Sequence, residues 1–281
     1  VLLLRYYKRC LRHLNCAPFH WVSAHAAIIT CRLTLFFCAL MIDFSQLDMS
    51  TFPPSILGRL SFTHTTPSKP PLPAGRNLLG IAEERDTLLY VPQGLEPGAA
   101  VPLLVMFHGA SGSAEKVLPF LQEHADRHKF LLLVPQSMFA TWDLSLAGNG
   151  PDIERLSAAL VEVASRYLLE RERFGFAGFS DGGSYALSNG ITNGDLVSHV
   201  MVFSGGFMSA YMPTGKPQIF IAHSPEDQQL PIDTSGRKHA AVLREAGYDV
   251  EYVEFSGPHV IHPPTVTDAI EFFLKPSLSP G

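Results

Sequence analysis

From residue 76 onward the chain alternates short apolar runs with amphipathic stretches. Residues 77–82 and 87–91 read as two strands joined by the charged turn 83–86, an antiparallel opening. Residues 102–107, PLLVMF, form a continuous apolar run, as expected of a strand buried on both faces of a sheet. Residues 113–128 follow at helical spacing (Val117, Phe120, Leu121, Ala125), with Ser113 as the N-cap. The alternation continues with strand 130–134, helix 152–169 behind Pro151, strand 174–179 and a helix opening at 182. Strands 197–203 and 218–222, helix 235–246 stopped by Gly247, strand 250–255 and helix 265–274 complete it. Such alternation predicts an α/β domain with a mostly parallel central sheet and helices on both faces. In such sheets ligands bind at the carboxyl ends of the strands.

The first 75 residues do not share this pattern. Residues 1–42 hold five basic side chains and no acid, so all 26 acidic residues of the chain lie beyond them. The formal net charge of −5 therefore understates how acidic the body is, and it argues against a nucleic-acid partner. All four cysteines (Cys10, Cys16, Cys31, Cys38) fall in the same stretch, at spacings that fit no standard zinc pattern, and the body can form no internal disulfide. Residues 22–42 are apolar enough to reach across a bilayer but contain His25 and Arg32. We expect residues 1–48 to be a basic, apolar leader: a signal, a targeting sequence, an anchor or a non-native extension. Membrane contact would come through this segment alone. Residues 49–75 are rich in Pro, Ser and Thr and are expected to be an extended linker, which puts the compact domain at 76–276.

One motif carries chemistry. Gly178-Phe179-Ser180-Asp181-Gly182 matches G-x-S-x-G between an expected strand and an expected helix. Such a turn exposes a serine hydroxyl at the top of the sheet, with glycines allowing strand and helix to approach. The alternative is a structural turn whose serine merely caps the helix. A serine needs a base to become a nucleophile, and on this kind of scaffold the order is Ser, then Asp or Glu, then His. Asp227 follows strand 218–222, with Glu226 beside it as the alternative acid. His259 follows strand 250–255, with His262 as the alternative base. His223 precedes the acid and His199 sits at the wrong end of its strand, while His239 is expected to be solvated. The backbone N–H groups of Asp181 and Ala110, the latter in the small-residue loop 108–112, are the expected oxyanion donors. Trp142, Asp143 and Phe207 sit on loops expected at the site edge and could contact substrate, although burial in the core is the competing role for the aromatics.

Taken together, His108-Gly109-Ala110, Thr141-Trp142-Asp143, the Ser180 motif, Asn193-Gly194-Asp195 and the Gly-Pro-His turn at 257–259 resemble the phospholipase/carboxylesterase group of α/β-hydrolases. The resemblance spans about 76–274. It implies an α/β-hydrolase fold and a cofactor-free, metal-free serine carboxylesterase acting on small-molecule esters, with Ser180, Asp227 and His259 as its triad. The sequence departs from that pattern at Ser224, Gly205 and Pro258. The short connection between strands 197–203 and 218–222 leaves no room for a large lid. The competing functions are a peptidase or polyester depolymerase on the same scaffold, and a catalytically silent binding protein.

Overall fold

The computed structural model describes residues 52–275. The expected leader, 1–48, lies outside them. Eight strands form one sheet: β1 (Gly75–Leu78), β2 (Leu88–Val91), β3 (Val101–Phe107), β4 (Leu131–Val134), β5 (Leu169–Phe179), β6 (His199–Phe203), β7 (Gln218–His223) and β8 (Val250–Glu254), in the spatial order β1-β2-β4-β3-β5-β6-β7-β8. β1 and β2 pair antiparallel, as does β2 with β4, and every other pairing is parallel.

The strands alternate their side chains between two cores. Leu103, Val105 and Phe107 of β3 face one layer with Phe174, Phe176, Val200, Val202, Ile219 and Ile221. Leu104 and Met106 face the other with Ala177, Met201 and Phe220. The first layer is covered by α4 (Pro151–Ala164), α5 (Asp181–Thr192) and α6 (Gly236–Glu245). The second is covered by α1 (Ala114–Val117), α2 (Pro119–His128) and α7 (Pro263–Leu274), while the single-turn α3 (Asp143–Leu146) precedes α4. The inner parallel strands β3, β4, β6 and β7, with the second half of β5, are thus buried on both faces, which is why the apolar runs located them.

Three boundaries differ from expectation. The helix foreseen at 113–128 breaks at Pro119, which cannot donate a backbone hydrogen bond and instead starts α2 at its first position. β1 stops at Leu78 because the N–H groups of Gly80, Ile81 and Ala82 turn to the Asp86 carboxylate. α4 ends at Ala164, and Leu169 already pairs with Val101 at the start of β5.

The larger correction concerns residues 52–75. They are mostly extended, as their composition suggested, but they are not a spacer. Leu57, Leu60 and Phe62 are buried, and Leu60 and Phe62 join the first core layer. Arg59 forms a two-pronged ion pair with Asp195, each contact 2.7 Å. Asn193 holds the strap from both sides, donating to the Gly58 carbonyl (2.8 Å) and accepting the Leu60 N–H (2.9 Å). The compact body therefore begins near Phe52. The composition of this stretch reports its mostly extended backbone, broken by one short 3-10 turn at Pro54–Leu57, and not its contacts.

Candidate active site

Ser180 sits between β5 and α5 with φ +56° and ψ −122°, outside the ordinary range for a side-chain-bearing residue. Its N–H donates to the Phe203 carbonyl on β6 at 2.9 Å, which anchors the turn. The flanking glycines are required by contact. A Cβ on Gly178 would fall 2.0 Å from the Gly182 carbonyl oxygen, and one on Gly182 would fall 2.3 Å from that of Phe107. The turn is a forced, close-packed strand-to-helix junction.

His259, in the loop after β8, contacts Asp227, in the loop after β7, through Nδ1 and Oδ2 at 2.6 Å. Both side chains are almost completely buried. Asp227 Oδ1 accepts the N–H groups of Gln229 and Leu230, each at 2.9 Å. Burial by itself would raise the Asp227 carboxyl. The N–H of Leu230, the His259 imidazole and the N–H of Gln229 instead hold it below the usual carboxylate value, so it is ionised at neutral pH. The Phe179 ring, next to Ser180, lies 4.7 Å from the His259 ring, centroid to centroid. The contact places His259 beside the Ser180 turn.

His223, set aside on chain order, belongs to the same cluster. Its Nε2 donates to the Leu230 carbonyl at 2.9 Å, so Nε2 carries the proton, and it lies 3.3 Å from Asp227 Oδ2. Burial lowers its pKa despite Leu230 and Asp227, so the contact is that of a neutral imidazole. A polar side chain closing the apolar run Gln218–His223 was the available signal.

The loop after β3 lies against the elbow, since a Cβ on Gly109 would come within 3.2 Å of Ser180 Cβ. The Gly109 carbonyl accepts from the Gly112 N–H at 2.9 Å and contacts His108 Nδ1 at 2.8 Å. His108 Nε2 accepts the Ser137 N–H at 3.2 Å, which assigns the proton to Nδ1. Burial pushes the His108 pKa down to about 4, so this arrangement is uncharged. In a trans peptide the Ala110 N–H points opposite the held Gly109 carbonyl. Asp181 opens α5, where its N–H has no partner one turn back within the helix. Its carboxylate is tethered by Thr141 Oγ1 at 2.6 Å.

Two of the expected substrate contacts are corrected. Trp142 is 1% exposed, stacks on Tyr185 at 4.7 Å and donates its indole N–H to the His108 carbonyl at 2.8 Å, so it is a core residue supporting the loop. Asp143 is buried as well. It accepts the Asp152 N–H, and Asp152 in turn accepts the Asp143 N–H, each at 2.9 Å. Burial and the neighbouring Asp152 carboxylate raise Asp143 to about 6. Phe207 is half-buried, and its N–H bonds to Ser184 Oγ, one turn past Ser180, at 3.1 Å. His239, expected in solvent, is buried in α6.

A mostly parallel sheet, helices on both faces and a strained serine at a strand-to-helix turn define the α/β-hydrolase fold. Solved esterases share it. The chain superposes on a thermostable esterase with a TM-score of 0.58 at 21% identity, covering 68% of this chain and 59% of that one. It thus spans less than two thirds of that protein. A butyrate-bound esterase from the Planctomycetes species Thermogutta terrifontis gives 0.58 at 17% identity, covering 72% and 94%. A phospholipase/carboxylesterase from Dyadobacter fermentans gives 0.53 at 18% identity, covering 76% and 99%. No family model and no curated protein matches the sequence.

Proposed function

We propose that this protein is a serine carboxylesterase in which Ser180, His259 and Asp227 act in relay. The observation that carries this reading is the buried 2.6 Å Asp227–His259 pair at the same sheet edge as the strained Ser180 turn. Asp227 holds Nδ1 of His259 protonated, which leaves Nε2 as the basic nitrogen. Nε2 takes the Ser180 hydroxyl proton as Oγ attacks the ester carbonyl. The N–H groups of Ala110 and Asp181 receive the oxyanion charge. His259 then returns the proton to the departing alcohol, leaving an acyl-serine. Water, activated by the same imidazole, releases the acid and restores the hydroxyl. Phe207 contributes apolar surface to the acyl side. The esterase neighbours support ester chemistry over peptide cleavage on this scaffold.

The test is turnover of a p-nitrophenyl ester series by the wild type and Ser180→Ala. We expect short esters to be hydrolysed and kcat to fall at least about a thousandfold in the variant, as when a triad member is lost. Equal rates would remove Ser180 from the mechanism. Absence of turnover in the wild type would leave the competing peptidase and binding-protein functions.

A further inference from the structure

Past the end of the β7–β8 ladder, where the Phe255 N–H reaches the His223 carbonyl at 3.4 Å, the loop carrying Asp227 and the loop carrying His259 separate. Among the described residues, two hydrogen bonds join residues 224–231 to residues 256–262. One is the Asp227–His259 contact itself. The other runs from Ser224 Oγ to the Gly257 carbonyl at 2.5 Å. The same Ser224 oxygen accepts the Glu226 N–H at 3.0 Å, and Ser224 is fully buried. One hydroxyl thus fixes the start of the acid's loop and a peptide two residues ahead of the histidine. Pro258 has its φ fixed by its ring, which removes one of the torsions between the held carbonyl and His259.

We propose that Ser224 is a positioning residue that sets the distance between Asp227 and His259 by tying their two loops together. The role in catalysis rests on the esterase reading above, but the tie itself does not. Without it, the Asp227–His259 bond would have to hold both loops in place as well as orient the imidazole. His259 contacts Asp227, whose carboxylate also faces His223, and its ring lies beside the Phe179 ring from β5.

The experiment compares wild type, Ser224→Ala and Ser224→Thr by proton NMR, steady-state kinetics and thermal melt. The Nδ1 proton held between His259 and Asp227 should give a far-downfield resonance, assigned by its loss in His259→Gln. We expect Ser224→Ala to move or broaden that resonance and to lower kcat roughly tenfold with KM within about twofold, a cost typical of a small misplacement. Ser224→Thr, which keeps the hydroxyl, should restore both. If Ser224→Ala does not fold, Ser224→Cys offers a weak donor of similar shape and is read in the same way.

An unchanged resonance and kcat in the variant, with only a lower melting temperature, would overturn the proposal. A wild type without esterase activity whose resonance still responds to Ser224→Ala would sink the esterase reading and leave the positioning role standing.

Discussion

Gly178 and Gly182 decide whether Ser180 can occupy its turn at all, because the atoms a methyl group would strike are backbone atoms that cannot swing aside. Gly182→Ala should therefore cost more than about 3 kcal/mol of stability, in the range reserved for severe backbone clashes. Urea unfolding would read it, and a midpoint within error of wild type would contradict the packing described. At this scale the sequence was most informative where chemistry and geometry demand the same residue. Ser180, Asp227 and His259 were located from chain order, and the structure brings Asp227 and His259 into contact. It was least informative for Trp142 and Asp143. A loop position at the sheet edge says nothing about whether a side chain turns outward to substrate or inward, and here both turn inward to hold the loops.

The inner strands of the sheet were legible because they are buried on both faces, which leaves a continuous apolar signature. The segment before β1 was not, because its anchoring contacts come from partners about a hundred residues or more away. Ser55 bonds to Glu154, Arg59 to Asp195, and the Ser61 N–H to Ser157. No local window of sequence contains both halves of such a pair. A chain trimmed to start at Arg76 should melt several degrees below one trimmed to start at Phe52, since removing the strap uncovers core surface around Leu60 and Phe62. Equal melting temperatures would mean that the strap is only laid on the surface. Arg59→Ala should produce a smaller loss, about 1 kcal/mol or less, because its partner Asp195 is partly exposed.

Across the whole molecule, burial makes folding sensitive to acid. His108, His199 and His239 are each pushed down to about 4 by burial. Below their ordinary value near 6.5 the unfolded chain takes up protons that the native protein refuses, so stability is lost as the pH falls from there toward 4. Asp143, raised to about 6, works in the opposite direction: the native state accepts its proton first, and stability is gained over part of the same window. With these three histidines and His223, which burial also lowers, against that carboxylate and its neighbour Asp152, the urea midpoint should be lower at pH 4.5 than at pH 7. A midpoint that rose would mean that the Asp143–Asp152 pair dominates. The Arg59–Asp195 clasp has a different consequence, which concerns the order of events at the ribosome. Synthesis is vectorial, so the strap emerges well over a hundred residues before the helix end that receives it, and its arginine and apolar anchors must wait without a partner. Closing so long a loop makes strap docking a late step, after the sheet has assembled. The nascent chain therefore carries an unpaired, sticky strap while the 136 residues after Arg59, up to Asp195, are made.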